Sequence, residues 1–124
     1  MKSFAFVLLF CGFATNVFSQ LTDSKWKNYM NVPDPTECIL QFKKDTLVMI
    51  IVADGSVGET MKYSTSNDTL KITKLSGFSP CSEGVTGLYR FTIKDEKLTI
   101  VPLSDDCNDR SAAFKPEAWI REKN

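Results

Sequence analysis

Residues 87–103, GLYRFTIKDEKLTIVPL, decide the fold class, because apolar and polar side chains alternate there on both sides of one turn. The apolar positions on the shared face are Tyr89, Phe91, Ile93, Leu98 and Ile100. Alternation with a period of two is typical of a β-strand that buries one face. The stretch therefore predicts two antiparallel strands joined by a tight turn at residues 94–96.

The same pattern recurs along the chain and predicts eight short strands. They are expected at residues 25–30, 38–43, 46–52, 57–63, 69–75, 87–93, 97–103 and 111–121, with the last one interrupted at Lys115-Pro116. Turn residues such as Asp54-Gly55 separate the strands, and no connection is long enough for a crossover helix. An all-β antiparallel meander of eight strands is expected to close into a small barrel, which removes exposed edges. The pattern leaves open whether residues 115–124 form a strand, a helical turn or a tail.

The first nineteen residues have the features of a secretory signal peptide. Lys2 gives a basic start, residues 4–13 are apolar, and Val17 and Ser19 lie at −3 and −1 of a cut before Gln20. The sequence thus predicts a leader at residues 1–19 and one domain at residues 20–124, secreted or periplasmic. Lipoprotein anchoring at Cys11 is not expected, because the large Phe10 precedes it. No second apolar segment is long enough to span a membrane.

Composition narrows the function classes. The chain has 15 basic and 15 acidic side chains and no histidine. A balanced charge argues against nucleic acid as a partner, and the lack of imidazole removes the commonest general base and zinc ligand. We therefore expect a monomeric protein that is not an enzyme and carries no metal or cofactor. Enzyme chemistry would have to rest on Glu59, Tyr63, Tyr89 or Arg110.

A meander sorts its loops onto two rims. The first rim holds the start of the first strand and the end of the last, which brings Trp26 close to Arg121. The second rim lies near Cys38, Cys81 and Cys107. We favour a Cys81–Cys107 disulfide from the register of the sixth and seventh strands, but either bridge to Cys38 remains open. The cysteine left over is expected to be a small buried apolar residue rather than a redox thiol.

The ends of the domain resemble those of lipocalins, a family of the calycin superfamily. Ser24-Lys25-Trp26 is similar to the Gly-x-Trp segment that opens a lipocalin, and Arg121 to its final arginine. Residues 87–91, GLYRF, and 106–110, DCNDR, also resemble small exported bacterial lipocalin-like domains. The resemblance implies that Trp26 and Arg121 stack at a closed end of the barrel. It also implies an open mouth at the second rim and an apolar or lipid-like small molecule bound inside.

The implied ligand site consists of interior apolar positions. Those predicted to bind the ligand are Leu40, Phe42, Met49, Ile51, Met61, Tyr63, Tyr89, Phe91 and Ile100. The same side chains are equally suited to a filled core. A packed barrel without a cavity, acting as a protein-interaction or structural module, is therefore the alternative function.

Two groups of charged residues need separate interpretation. Glu59 shares a face with Met61, and we favour a bulge after Gly55 that turns the Glu59 carboxylate outward, since unpaired buried charges are costly. The acidic residues around Cys107 lack the spacing of a calcium loop and are expected to form a solvated loop. Arg110 is expected to pair with one of those carboxylates. The alternative role for Arg110 is contact with an anionic head group at the mouth.

Overall fold

The computed structural model describes residues 18–123 and is a closed eight-stranded antiparallel barrel. The strands are β1 Ser24–Asn31, β2 Pro35–Phe42, β3 Thr46–Ile51, β4 Val57–Ser66, β5 Thr69–Gly77, β6 Thr86–Lys94, β7 Lys97–Asp105 and β8 Trp119–Glu122. Two short helices accompany them, α1 Phe18–Leu21 and α2 Asn108–Ala113. Each strand pairs with the next in sequence, and β8 pairs with β1. The predicted all-β meander is confirmed, whereas nearly all of the predicted signal peptide lies outside the described residues.

The last predicted strand is partly wrong. Residues 111–114 were expected to be extended, but Asn108–Ala113 form α2 and the strand is only Trp119–Glu122. The segment NDRSAA lacks alternation, ends in two good helix formers, and places Asp109 in the first turn, where a carboxylate favours a helix. Because β8 pairs with β7 only at Leu98 and Lys97, α2 lies beside the second-rim part of β7 instead of a strand.

A two-residue turn at Asp95 and Glu96 joins β6 to β7. Asp95 and Glu96 both have positive φ, as a two-residue hairpin of the mirror-image type requires. This turn sets the β6–β7 register, in which Phe91 faces Ile100. Residues 87–103 therefore form the antiparallel hairpin that their alternating pattern predicts.

The first-rim half of the barrel is filled with large side chains. Those with almost no exposed surface include Leu21, Trp26, Phe42, Leu47, Leu70, Leu98 and Trp119. The guanidinium carbon of Arg121 lies 5.3 Å from the centre of the Trp26 ring. The indole of Trp26 donates to the Ser24 hydroxyl over 2.7 Å, and that hydroxyl donates to the carbonyl of Leu21. Ser24, which stands where a lipocalin has glycine, thus joins α1 to the buried tryptophan.

Candidate functional site

An apolar pocket opens at the second rim, and we call it the mouth pocket. Its volume is about 740 Å³. Its wall comes from the inner faces of β1–β4, the β1–β2 loop, the loop after β5 and α2. The lining residues are Met30, Asn31, Val32, Pro33, Leu40, Met49, Ile51, Ser56, Gly58, Glu59, Met61, Phe78, Ser79, Pro80, Asp109, Arg110, Ala112, Ala113 and Phe114. A volume of this size is in the range of small-molecule sites.

The predicted ligand residues divide between the pocket and the packed core. Leu40, Met49, Ile51 and Met61 line the mouth pocket. The remaining five do not line the pocket and lie in the buried core, namely Phe42, Tyr63, Tyr89, Phe91 and Ile100. The barrel interior is therefore neither wholly open nor wholly filled, and ligand contact by any of the nine stays a prediction.

Aromatic and hydroxyl contacts hold two of these core residues away from the pocket. Phe42 and Tyr63 meet edge to face, with ring centres 5.1 Å apart. The Tyr63 hydroxyl donates to the carbonyl of Lys43 at the first rim. Tyr89 packs against Phe114, with ring centres 4.9 Å apart, and donates to the Asp105 carboxylate. These two tyrosines are structural supports below and beside the pocket.

A buried ion pair links Glu59, which lines the pocket, to Lys74. The Lys74 ammonium lies 3.6 Å from a Glu59 carboxylate oxygen, and both side chains are less than a tenth exposed. Glu59 accepts hydrogen bonds from the Ser79 hydroxyl at 2.6 Å and from the Ser79 amide at 3.2 Å. Lys74 also donates to the carbonyls of Gly77 and Ser79. The pair thus fixes the loop after β5 across the pocket.

The outward orientation predicted for Glu59 is wrong. A bulge does occur, since Met49 pairs with Glu59 and Ile50 with Val57, but it turns Val57 outward and leaves Glu59 inside. Lys74 also points inward, and a second bulge at Leu75 turns the Leu75 side chain outward. The cost of burying Glu59 is offset because Lys74 supplies the opposite charge.

Sequence reasoning missed Ser79, which lines the pocket, and Lys74, which binds both Ser79 and Glu59. The signal for Lys74 was its position, since it has the same parity along β5 as the buried Leu70 and Ile72. No comparable pattern marks Ser79, which lies in a loop. Gly77 leaves room for the Glu59 carboxylate, because a Cβ at this position would lie 2.1 Å from a Glu59 oxygen. Its φ of +138° also favours glycine.

A second buried ion pair joins α2 to the end of β7. Arg110 donates from Nε and Nη2 to the two oxygens of Asp105, at 2.7 and 2.8 Å. Burial by itself raises the pKa of Asp105, but hydrogen bonds from Arg110, Tyr89 and the Cys107 amide together hold that pKa below its usual value. Burial and the Asp105 contact raise the pKa of Tyr89. Arg110 therefore pairs with a carboxylate of the acidic segment, as expected, and this pair orients α2.

The predicted disulfide is confirmed. Cys81 and Cys107 are bonded, with their Cα atoms 5.6 Å apart, and the bridge ties the loop after β5 to the residue before α2. Cys38 is free and fully buried, and burial raises the pKa of its thiol to about 11. The thiol therefore stays protonated at neutral pH, which agrees with a packing role.

Within residues 18–123, no group of three or more acidic or cysteine side chains is placed to hold a metal ion. No helix of the described chain is long and apolar enough to cross a membrane. Comparisons with protein-family models, with curated proteins and with solved structures give no match. The geometry of the barrel and its pocket is therefore the basis for inferring a function.

Proposed function

We propose that this chain is an exported lipocalin-like protein that binds an apolar or lipid-like small molecule in the mouth pocket. The observation that carries the proposal is a pocket of about 740 Å³ in the second-rim half of a barrel whose other half is packed. Apolar side chains such as Met49, Ile51 and Met61 would contact the body of the ligand. The two methionines suit a ligand of irregular shape, because their side chains are flexible and polarizable.

Three further features are compatible with this function. Trp26 and Arg121 stack at the packed end, in the arrangement that the lipocalin resemblance implies. The loop after β5 and α2, which flank the pocket, are tied together by the Cys81–Cys107 disulfide. A disulfide is also compatible with the oxidising compartment that the predicted signal peptide implies. The proposed activity is binding without turnover, by a monomer.

Titration with the apolar fluorescent probe N-phenylnaphthylamine tests this function. We expect saturable binding of one probe molecule per chain. Ala112→Trp places an indole at the pocket wall and is expected to weaken binding about tenfold by steric overlap. Ser64→Trp, on the exposed face of β4, is the matched control and should bind like the wild type. Probe binding that fails to saturate, or that Ala112→Trp leaves unchanged, would favour the packed barrel that acts as an interaction module.

A further inference from the structure

The charged side chains that line the mouth pocket leave one negative charge unpaired. The charged residues of the lining are Glu59, Asp109 and Arg110. Glu59 is paired with Lys74, and Arg110 is paired with Asp105, in both cases by buried contacts. The side chain of Asp109 is exposed and makes no ion pair or hydrogen bond in the part of the chain that the structure describes. The pocket wall therefore carries one unbalanced carboxylate.

The loops at the second rim add to this negative charge. They comprise residues 32–34, 52–56, 78–85 and 106–118. Lys115 is their one basic residue apart from the paired Arg110. Their acidic residues, all exposed, are Asp34, Asp54, Glu83, Asp106, Asp109 and Glu117. A cleft bordered by charges of one sign attracts ions of the opposite sign and repels ions of the same sign. The mouth therefore favours a cation, which argues against the anionic head group considered for Arg110.

An exposed aromatic ring lies at the same pocket. Phe78 is a lining residue, yet it is 88% exposed. Its amide donates to the Gly58 carbonyl over 3.0 Å, and the next residue, Ser79, donates to the Glu59 carboxylate. These bonds fix the backbone that presents the ring. The face of an aromatic ring attracts a cation and offers an anion no such attraction. Phe78 thus favours the same sign of charge as the acidic loops.

We propose that the ligand is a cationic amphiphile, a molecule with an apolar chain and an amine that is protonated at neutral pH. Its chain lies in the mouth pocket, and its ammonium group stays at the entrance near Asp109 and Phe78. This inference rests on the proposed function, because it specifies the head group of the ligand bound there. An ammonium group at the entrance remains hydrated, so binding does not bury its charge.

Displacement of N-phenylnaphthylamine by decylamine, methyl octyl ketone and decanoate tests the head group. The three probes have chains of equal length, and at neutral pH they are a cation, an uncharged molecule and an anion. At about 0.01 M salt we expect decylamine to bind about tenfold more tightly than decanoate. At about 0.5 M salt the difference should shrink to less than about threefold, because salt screens exposed charges. Equal affinities at low salt, or tighter binding of decanoate, would overturn the cationic head group.

The variant Asp109→Asn removes the unpaired charge of the pocket wall and keeps the size of the side chain. Its ratio of Kd values, decylamine over ketone, should rise about threefold at low salt, since an exposed attraction is lost. A general loss of pocket structure would weaken both probes and leave this ratio unchanged. Asp95→Asn makes the same change in the exposed turn at the first rim and is the matched control, with the ratio of the wild type. A wild-type ratio in Asp109→Asn would overturn the placement of the ammonium group.

A second readout uses the wild type alone, in case the variant does not fold. Saturation with decylamine should shift the carboxyl ¹³C resonance of Asp109 more than saturation with the ketone does. Equal shifts with the two probes would overturn the placement of the ammonium group. If the ketone binds saturably but decylamine shows no salt-dependent preference over decanoate, the cationic head group is wrong and the proposed function stands. If none of the probes binds, the proposed function itself fails, and this inference fails with it.

Discussion

At the scale of single residues, two buried ion pairs determine the polar character of the mouth pocket. Glu59 lines the pocket and pairs with Lys74, and Arg110 lines the pocket and pairs with Asp105. Each of these four charges has an oppositely charged partner. The pocket wall is therefore mainly apolar, with ion-paired charges at Glu59 and Arg110. Buried pairs of this kind contribute little net stability compared with apolar residues, but losing one partner is costly.

The Glu59–Lys74 pair should show strong energetic coupling. We expect Glu59→Gln and Lys74→Met each to lower the free energy of unfolding by about 3 kcal/mol, because each leaves one buried charge without its partner. The double variant should cost less than the sum of the two by about 2 kcal/mol. Urea unfolding of the four proteins gives this coupling. Strict additivity would show that the 3.6 Å contact carries no interaction energy.

The Asp105–Arg110 pair should make stability depend on pH on the acid side. The folded pKa of Asp105 lies below its unfolded value, so its contribution is fully present above about pH 4 and is lost as the pH falls through the folded pKa. We expect the wild type to lose stability relative to Asp105→Asn/Arg110→Met as the pH is lowered below about 4. Unfolding midpoints measured across that range test this. Parallel curves for the two proteins would contradict it.

At the scale of elements, bulges and the helix α2 explain what the sequence pattern did and did not predict. Alternation predicted the hairpin because β6 and the first four residues of β7 bury one regular face. Alternation could not locate the bulges at Val57–Glu59 and at Leu75, since their positions depend on pairing with neighbouring strands. Parity along β4 places Glu59 on the face of Met61, but the outward orientation is predicted for Glu59 because the pattern does not reveal Lys74 as a buried partner for its charge.

The Cys81–Cys107 bridge joins two of the elements that flank the pocket. Cys81→Ala/Cys107→Ala should lower the free energy of unfolding by about 3 kcal/mol, because the bond restricts the unfolded chain. Denaturant titration of oxidised protein measures this, and Cys38→Ala is the control that keeps the bridge. Reduced wild-type protein should match the double variant. Equal stability of the oxidised wild type and the double variant would contradict a stabilising bridge.

At the scale of the whole molecule, the fold was predictable but the division of its interior was not. Eight alternating segments with short turns are compatible with few topologies, so the closed meander followed from the sequence. Whether Met49 lines a pocket or fills a core depends on where β8 begins and where α2 packs. Both features lie in residues 108–122, where the pattern is weakest. The mouth pocket is thus a consequence of tertiary packing that periodicity does not encode.

The central claim is that one half of the barrel is packed and the other binds one apolar molecule. Native mass spectrometry of the oxidised protein with increasing methyl octyl ketone tests it most directly. We expect a single adduct of one ketone per chain that saturates, is strongly reduced in Ala112→Trp and is retained in Ser64→Trp. No adduct, or a series of adducts that grows without saturation and is equal in all three proteins, would contradict it.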